Sequence, residues 1–278
     1  MKKFRLIAVG VALIITLALC GCSFSVATAP AFSEIYKSQV ITKNIEPNEA
    51  VNEKHITNLI TNNAMSGVLT VYCENSSGGL GLVLNGLTVS QGSCGVFHYD
   101  GVYYYALTNS HVVNSPSGSS LRSIRVEDYK GNFYSAFIYQ NPRKGEKAFS
   151  ADYDLAVICF KADAELYVFD FVNQNPGIGY EVILLGTPDG QKNAIYYGDV
   201  LEYIYPRFED ESEININFNV IKYSADTTNG SSGGPLLDGF LNIVGVHFGG
   251  SVNSTTHFAG AIPVVKVIEF LDKYCWIC

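Results

Sequence analysis

The chain has 278 residues, of which 47% are apolar and 16% charged, and its net charge is -8. Such a chain can bury a sizeable core, and disorder over most of its length is excluded. With no run of like charges and an acidic balance, a nucleic-acid partner is disfavoured, and a single long apolar run excludes a polytopic membrane protein.

Lys2, Lys3 and Arg5 precede Leu6–Leu19, an almost unbroken apolar run of 14 residues. A basic lead before an apolar stretch too short for a comfortable span reads as an export signal. The run ends Leu19-Cys20-Gly21-Cys22, which resembles a bacterial lipobox, where a small residue precedes the cysteine that takes the lipid. Residues 1–21 are read as a lipoprotein signal peptide, Cys22 as the lipidated first residue, and residues 22–46 as a polar tether. Plain secretion with a cut after Ala29 is the alternative, although Pro30 sits badly just past that cut. Losing three basic residues and no acid takes the net charge from -8 to -11. Anionic lipid repels such a chain, so membrane contact is expected through the lipid anchor alone. The expected location is exported and membrane-anchored, facing the exterior or the periplasm.

Five cysteines remain after Cys20 and Cys22: Cys73, Cys94, Cys159, Cys275 and Cys278. An odd number leaves at least one unpaired. Cys159 lies in the apolar run Ala156–Phe160 and reads as a free core thiol. Cys73 and Cys94 flank a hairpin-rich stretch and could pair in an oxidising compartment. Cys275-Trp276-Ile277-Cys278 lacks the further ligands a zinc site needs, so it reads as structural or incidental. His98 and His257 read as structural and His55 as a surface residue. No metal or cofactor is expected.

Residues 47–278 read as one large domain. Pro47–Asn63 opens it with helical spacing at Val51, His55, Ile56, Leu59 and Ile60. From Ser66 the pattern becomes short β-rich runs: Val68–Cys73, Leu80–Leu84, Cys94–Tyr99, Val102–Thr108, Leu121–Val126, Phe133–Tyr139 and Leu155–Phe160. Glu181–Leu185, Ala194–Tyr203, Ile214–Tyr223, Ile243–Phe248 and Phe258–Ile262 follow. A dozen short strands punctuated by Gly, Asn, Asp and Pro argue for an all-β sandwich or barrel pair. Pro263 then opens a C-terminal helix with Val264, Val267, Ile268 and Leu271 at helical spacing.

The chemistry concentrates in Asn229-Gly230-Ser231-Ser232-Gly233-Gly234-Pro235. A nucleophilic serine needs a tight loop of small residues, so that backbone N–H groups can approach a substrate carbonyl and its developing oxyanion. Gly230-x-Ser232-x-Gly234 also matches the nucleophile elbow of α/β-hydrolases. That fold requires a helix after the serine and the order Ser, acid, His, whereas a strand pattern follows here.

The segment resembles instead the Gly-x-Ser-Gly-Gly-Pro motif of trypsin-like serine proteases of the chymotrypsin fold. Leu107-Thr108-Asn109-Ser110-His111-Val112-Val113 resembles the histidine segment of that family, and Asp152-Tyr153-Asp154-Leu155-Ala156-Val157 its Asp-Leu-Ala segment. The order is also the family's: His111, Asp154 after 43 residues, Ser232 after 78 more. Gly92-Ser93-Cys94-Gly95-Val96 is similar to the strand before the histidine segment, and Gly177–Gly190 to the second-barrel hairpin. The resemblance implies two six-stranded antiparallel β-barrels, with a boundary near 165–178, a short N-terminal helix and a C-terminal helix. It implies Ser232 as nucleophile, His111 as general base and acid, Asp154 as orienting acid, and the N–H groups of Gly230 and Ser232 as an oxyanion hole. Asp152 is the rival acid but lacks the following Leu-Ala.

For specificity, Tyr223–Ser232 and Val244–Gly250 resemble glutamyl endopeptidases. Thr227, five before Ser232, and His247, fifteen after it, fall where that family lines its primary pocket. Hydroxyl and imidazole donors suit a carboxylate or amide side chain. Phe248, Gly249 and Gly250 would offer an edge strand to extended peptide. Asp226, six before Ser232, falls where trypsin carries its basic-specificity acid, so Glu, Lys or Arg, and uncharged P1 residues all stay open. The expected function is a lipid-anchored serine endopeptidase acting on peptide or protein. The alternative is a catalytically silent surface lipoprotein using the fold for binding.

Overall fold

The computed structural model describes residues 53–77, 87–115, 119–188, 194–206, 214–253 and 256–275. The export signal, Cys22, the tether, the Leu80–Leu84 run and Cys278 lie outside the described residues. No helix among the described residues is long and apolar enough to cross a membrane.

Helix α1 runs Glu53–Asn62, and the first part of the expected Pro47–Asn63 helix lies outside the described residues. Its Ile60 is buried, and Thr57 Oγ1 lies 2.6 Å from the Tyr197 hydroxyl. The first barrel follows: β1 (Val68–Ser77), β2 (Leu87–Tyr99), β3 (Tyr104–Thr108), β4 (Ser119–Glu127), β5 (Phe133–Ile138), the two-residue β6 (Phe149–Ser150) and β7 (Leu155–Phe160). The order β3-β2-β1-β4-β5-β7 closes because β7 pairs back onto β3, and β6 borders β7. The second barrel has β8 (Glu181–Gly186), β9 (Ala194–Ile204), β10 (Val220–Tyr223), β11 (Pro235–Leu237), β12 (Ile243–Asn253) and β13 (Thr256–Pro263). It closes in the order β10-β13-β12-β11-β8-β9, and all its pairings are antiparallel. Helix α2 is a single turn, Ser110–Val113, and α3 spans Val264–Tyr274 after Pro263.

The barrels follow from alternation. On β5 the side chains alternate between exposed and half-buried, with Phe133 and Phe137 facing out. β7 does not alternate, and all six of its residues are buried. Ala156, Ile158 and Phe160 fill the first barrel, while Leu155, Val157 and Cys159 join the larger core shared with the second barrel and α3. Turn chemistry is equally local. Asp128 Oδ1 accepts N–H groups from Lys130 and Asn132, and Asp238 Oδ1 does the same for Phe240 and Asn242.

The connection 161–180 contains the expected boundary and is tied to both barrels. Phe169 N donates to Val96 O at 2.8 Å, and Ile243 N to Asp170 O at 2.7 Å.

Two expectations need correction. Ile214–Tyr223 is not one strand, since only Val220–Tyr223 pairs. Its first half alternates Ile, Asn and Phe like a strand, but Asn215 is drawn off to Ala151 O and Asp152 instead. Cys73 and Cys94 do not pair. On neighbouring strands Cys94 faces Leu69 and Cys73 faces Ser90, so they stand four ladder positions apart. At about 3.3 Å per residue that exceeds the reach of a disulfide. Both are buried thiols, and burial pushes Cys94 up to about 12.

Ile158 is fully buried in the first barrel. Ile158→Ala is expected to cost about 2–5 kcal/mol of stability, read as a lower urea midpoint at unchanged slope.

Candidate active site

The site lies along the seam between the barrels. β3 ends at Thr108, and the chain turns through Asn109 into α2, which carries His111. The tight turn before β7 carries Asp154, with Asp154 N donating to Ala151 O. Asp154 is wholly buried and adopts φ 48, a left-handed conformation that Asp tolerates better than most residues. Asn109 Nδ2 holds the Asp154 carbonyl at 2.9 Å.

His111 and Asp154 are brought into direct contact. Nδ1 lies 2.9 Å from Oδ2 and 3.0 Å from Oδ1. An ionised carboxylate can only accept, so Nδ1 bears the proton and Nε2 is left as a base. Oδ1 also accepts from the His111 backbone N–H at 3.1 Å and from Ser110 Oγ at 3.0 Å. A buried carboxylate is tolerated only when so supplied with donors. The His111 side chain stays 28% exposed, open to a substrate. The rival acid, Asp152, instead accepts from Asn215 Nδ2.

Ser232 stands on the turn before β11. Its Oγ donates to the Phe248 carbonyl at 3.2 Å. Gly230 has φ +92, and the turn is fixed by Ser231 N to Thr228 O, Gly234 N to Ser231 O and Gly233 N to His247 O. Gly233 must be glycine for two reasons. Its φ is +87, and an added Cβ would lie 2.1 Å from Ser93 O. Gly92 is confined likewise, with an added Cβ 2.9 Å from Ser232 O and closer still to Val112.

The specificity candidates divide. His247 is 1% exposed, its Nδ1 is 2.8 Å from the Tyr223 hydroxyl, and its ring also makes a backbone hydrogen bond to Gly260. Burial, with His111 nearby, lowers its pKa to about 3, so the ring is neutral at ordinary pH. Thr227 is half-buried. Phe248 and Gly249 are half-buried and Gly250 is exposed, beside a register shift in the β12–β13 ladder. Asp226 is exposed, which does not suit an acid at the closed base of a cation pocket. His98 is half-buried against Tyr105.

Sequence reading passed over three side chains here. Ser110 and Asn109 sit beside His111 but read as filler, because their partner Asp154 lies 44 and 45 residues away. The Ser93 hydroxyl reaches Gly230 O across 137 residues. Their only sequence signal is membership of segments already singled out.

Among known families, the trypsin-like peptidase domain matches residues 92–246, a span that includes His111, Asp154 and Ser232. No curated protein matches the chain. Solved structures of similar fold include the active form of the Rv3671c protease from M. tuberculosis, with TM-score 0.62 and 20% identity over 84% of this chain and 89% of that one. The inactive form of the same protease gives TM-score 0.58 and 20% identity over 83% and 98%.

Two outcomes follow from this geometry. Ser110→Ala removes one donor from a buried carboxylate, a loss of about 1.5–3 kcal/mol. Peptide turnover is expected to fall roughly tenfold or more, with Ser110→Thr retaining most of it, measured as kcat on one substrate. For His247, the folded ring resists protonation that the unfolded ring accepts near pH 6.5. Stability is therefore lost as pH falls from 6.5 towards 3, by about 1.4 kcal/mol per pH unit. His247→Gln is expected to flatten that part of a Tm-against-pH curve.

Proposed function

Because the chain belongs to the trypsin-like peptidase family and is a serine peptidase, we propose that it cleaves peptide bonds through His111, Asp154 and Ser232. The observation that carries this reading is the short contact of His111 Nδ1 with the wholly buried Asp154 carboxylate, across the seam from a turn that presents Ser232.

Ser232 Oγ leaves the Phe248 carbonyl, turns to His111 Nε2 and attacks the scissile carbonyl as Nε2 takes its proton. Asp154 holds the ring tautomer and stabilises the imidazolium. The N–H groups of Gly230 and Ser232 meet the oxyanion, an effect worth about 3 kcal/mol in such sites. His111 passes the proton to the leaving amine, and water then repeats the sequence on the acyl-enzyme.

Two finer features belong to the same proposal. The first is a P1 preference for glutamate, with glutamine next. Thr227 supplies a hydroxyl donor and the exposure of Asp226 weakens a Lys or Arg preference, while the buried, neutral His247, its single N–H used within the fold, backs the pocket without donating to it. The second is export and anchoring by lipid at Cys22, supported by the basic and apolar lead and the Leu19–Cys22 motif.

The test is cleavage of a mixed peptide library by the full-length protein, beside Ser232→Ala. Cuts after Glu or Gln that vanish in Ser232→Ala are expected. Cuts after Lys or Arg would overturn the pocket reading and leave the nucleophile intact. No cleavage, together with no labelling of Ser232 by a phosphonate, would favour the silent binding protein. Cys22→Ala is expected to move the protein from the membrane to the soluble fraction.

A further inference from the structure

Ser93 is fully buried on β2, in the first barrel, yet its hydroxyl serves the second. Oγ lies 2.7 Å from Gly230 O, 2.9 Å from Thr187 N and 3.1 Å from Thr187 Oγ1. The direction of these bonds is fixed. A carbonyl can only accept and a backbone N–H can only donate, so Ser93 gives its one hydrogen to Gly230 O and receives Thr187 N. The main chain of Ser93 continues the clamp. Its N–H donates to Ser232 O at 2.7 Å, and its carbonyl accepts Thr108 Oγ1 at 2.8 Å.

Ser93 thus holds the carbonyls at both ends of Gly230-Ser231-Ser232. The Ser231–Ser232 peptide, which carries one of the two N–H groups aimed at an oxyanion, lies between those held carbonyls. The Asn229–Gly230 peptide, which carries the other, adjoins the Gly230 end. The backbone bonds that fix the turn, from Ser231 N, Gly233 N and Gly234 N, leave the Gly230 carbonyl to Ser93. Gly230 at φ +92 is free to relax, and the Ser231 hydroxyl is buried with no hydrogen-bond partner.

We propose that the Ser93 hydroxyl is a positioning residue for catalysis, holding the oxyanion turn of one barrel in its working shape from the other. This rests on the reading of Ser232 as the nucleophile. Without the hydroxyl, Gly230 O and Thr187 N both lose a buried partner, and the turn can rotate its N–H groups off target. The effect falls on the transition state, where the oxyanion exists, and not on substrate binding.

The experiment uses full-length wild type, Ser232→Ala, Ser93→Ala and the near-isosteric Ser93→Cys. It reads kcat and KM on one peptide, the affinity of a peptide aldehyde that adds to the serine, and Tm. Both Ser93 variants are expected to stay folded and to lose about 10- to 100-fold in kcat with KM within about threefold. Aldehyde affinity should fall by a similar factor. A folded Ser93 variant with unchanged kcat, with a change in KM alone, or with reduced kcat but full aldehyde affinity overturns the proposal. If Ser93→Ala unfolds, Ser93→Cys decides. Unfolding of both at the assay temperature also overturns it, because Ser93 then serves the fold and not the turn. Cleavage by Ser232→Ala at the wild-type rate refutes the nucleophile reading itself, a result separable from any failure at Ser93.

Discussion

The groups of the site are divided between two barrels: His111 and Asp154 stand on the first, and Ser232 stands on the second. Everything else depends on how closely β2 can approach the turn at 230–233. That approach sets the composition of both segments. A side chain is excluded at Gly233 by Ser93 and Thr108 of the other barrel, and at Gly92 by Val112 of its own barrel together with the Ser232 carbonyl of the other. Polar atoms forced into the seam are paired across it by Ser93 with Gly230 and Thr187. Such close contact limits relative movement of the two segments, and a misplacement of about 1 Å is enough to slow a reaction that depends on proximity. A looser interface of larger side chains would keep the barrels together and leave the serine unplaced.

The same economy governs the acid. Asp154 carries a left-handed backbone and a fully buried charge, two features that are each unfavourable alone. Four donors meet its carboxylate and carbonyl oxygens, and all come from Asn109, Ser110 and His111. The segment that carries His111 therefore also stabilises the carboxylate beside it, the pair proposed as base and orienting acid. A change in the turn after β3 reaches both groups at once.

Much of this was legible from the sequence, for a physical reason. Gly230–Pro235, Asn109–His111 and Asp154–Ala156 are local patterns, and the backbone needs of a reactive turn are written into adjacent residues. The alternating and continuous apolar runs located eleven of the thirteen described strands for the same reason, with β10 drawn too long. β6 and β11 escaped notice because two and three residues carry no period. Ile214–Asn219 carried a period but spent its hydrogen bonds elsewhere. Partnerships across long loops were invisible. Nothing near Ser93 in the sequence says that its hydroxyl will meet Gly230, and nothing near Cys73 says how far along the ladder Cys94 will fall. Burial is equally non-local: the exposure of Asp226 and the enclosure of His247 depend on the whole second barrel.

β7 has a further consequence. Its six residues feed two cores in alternation, so neither barrel can open fully without stripping one face of that strand. Sub-global opening of a single barrel thus costs apolar burial in both, and the two tend to unfold together. For a peptidase this matters beyond stability. A half-open copy of the same chain exposes extended segments of the kind a peptidase cleaves. A strand shared between two cores keeps such molecules rare, and so shields the population from digesting itself.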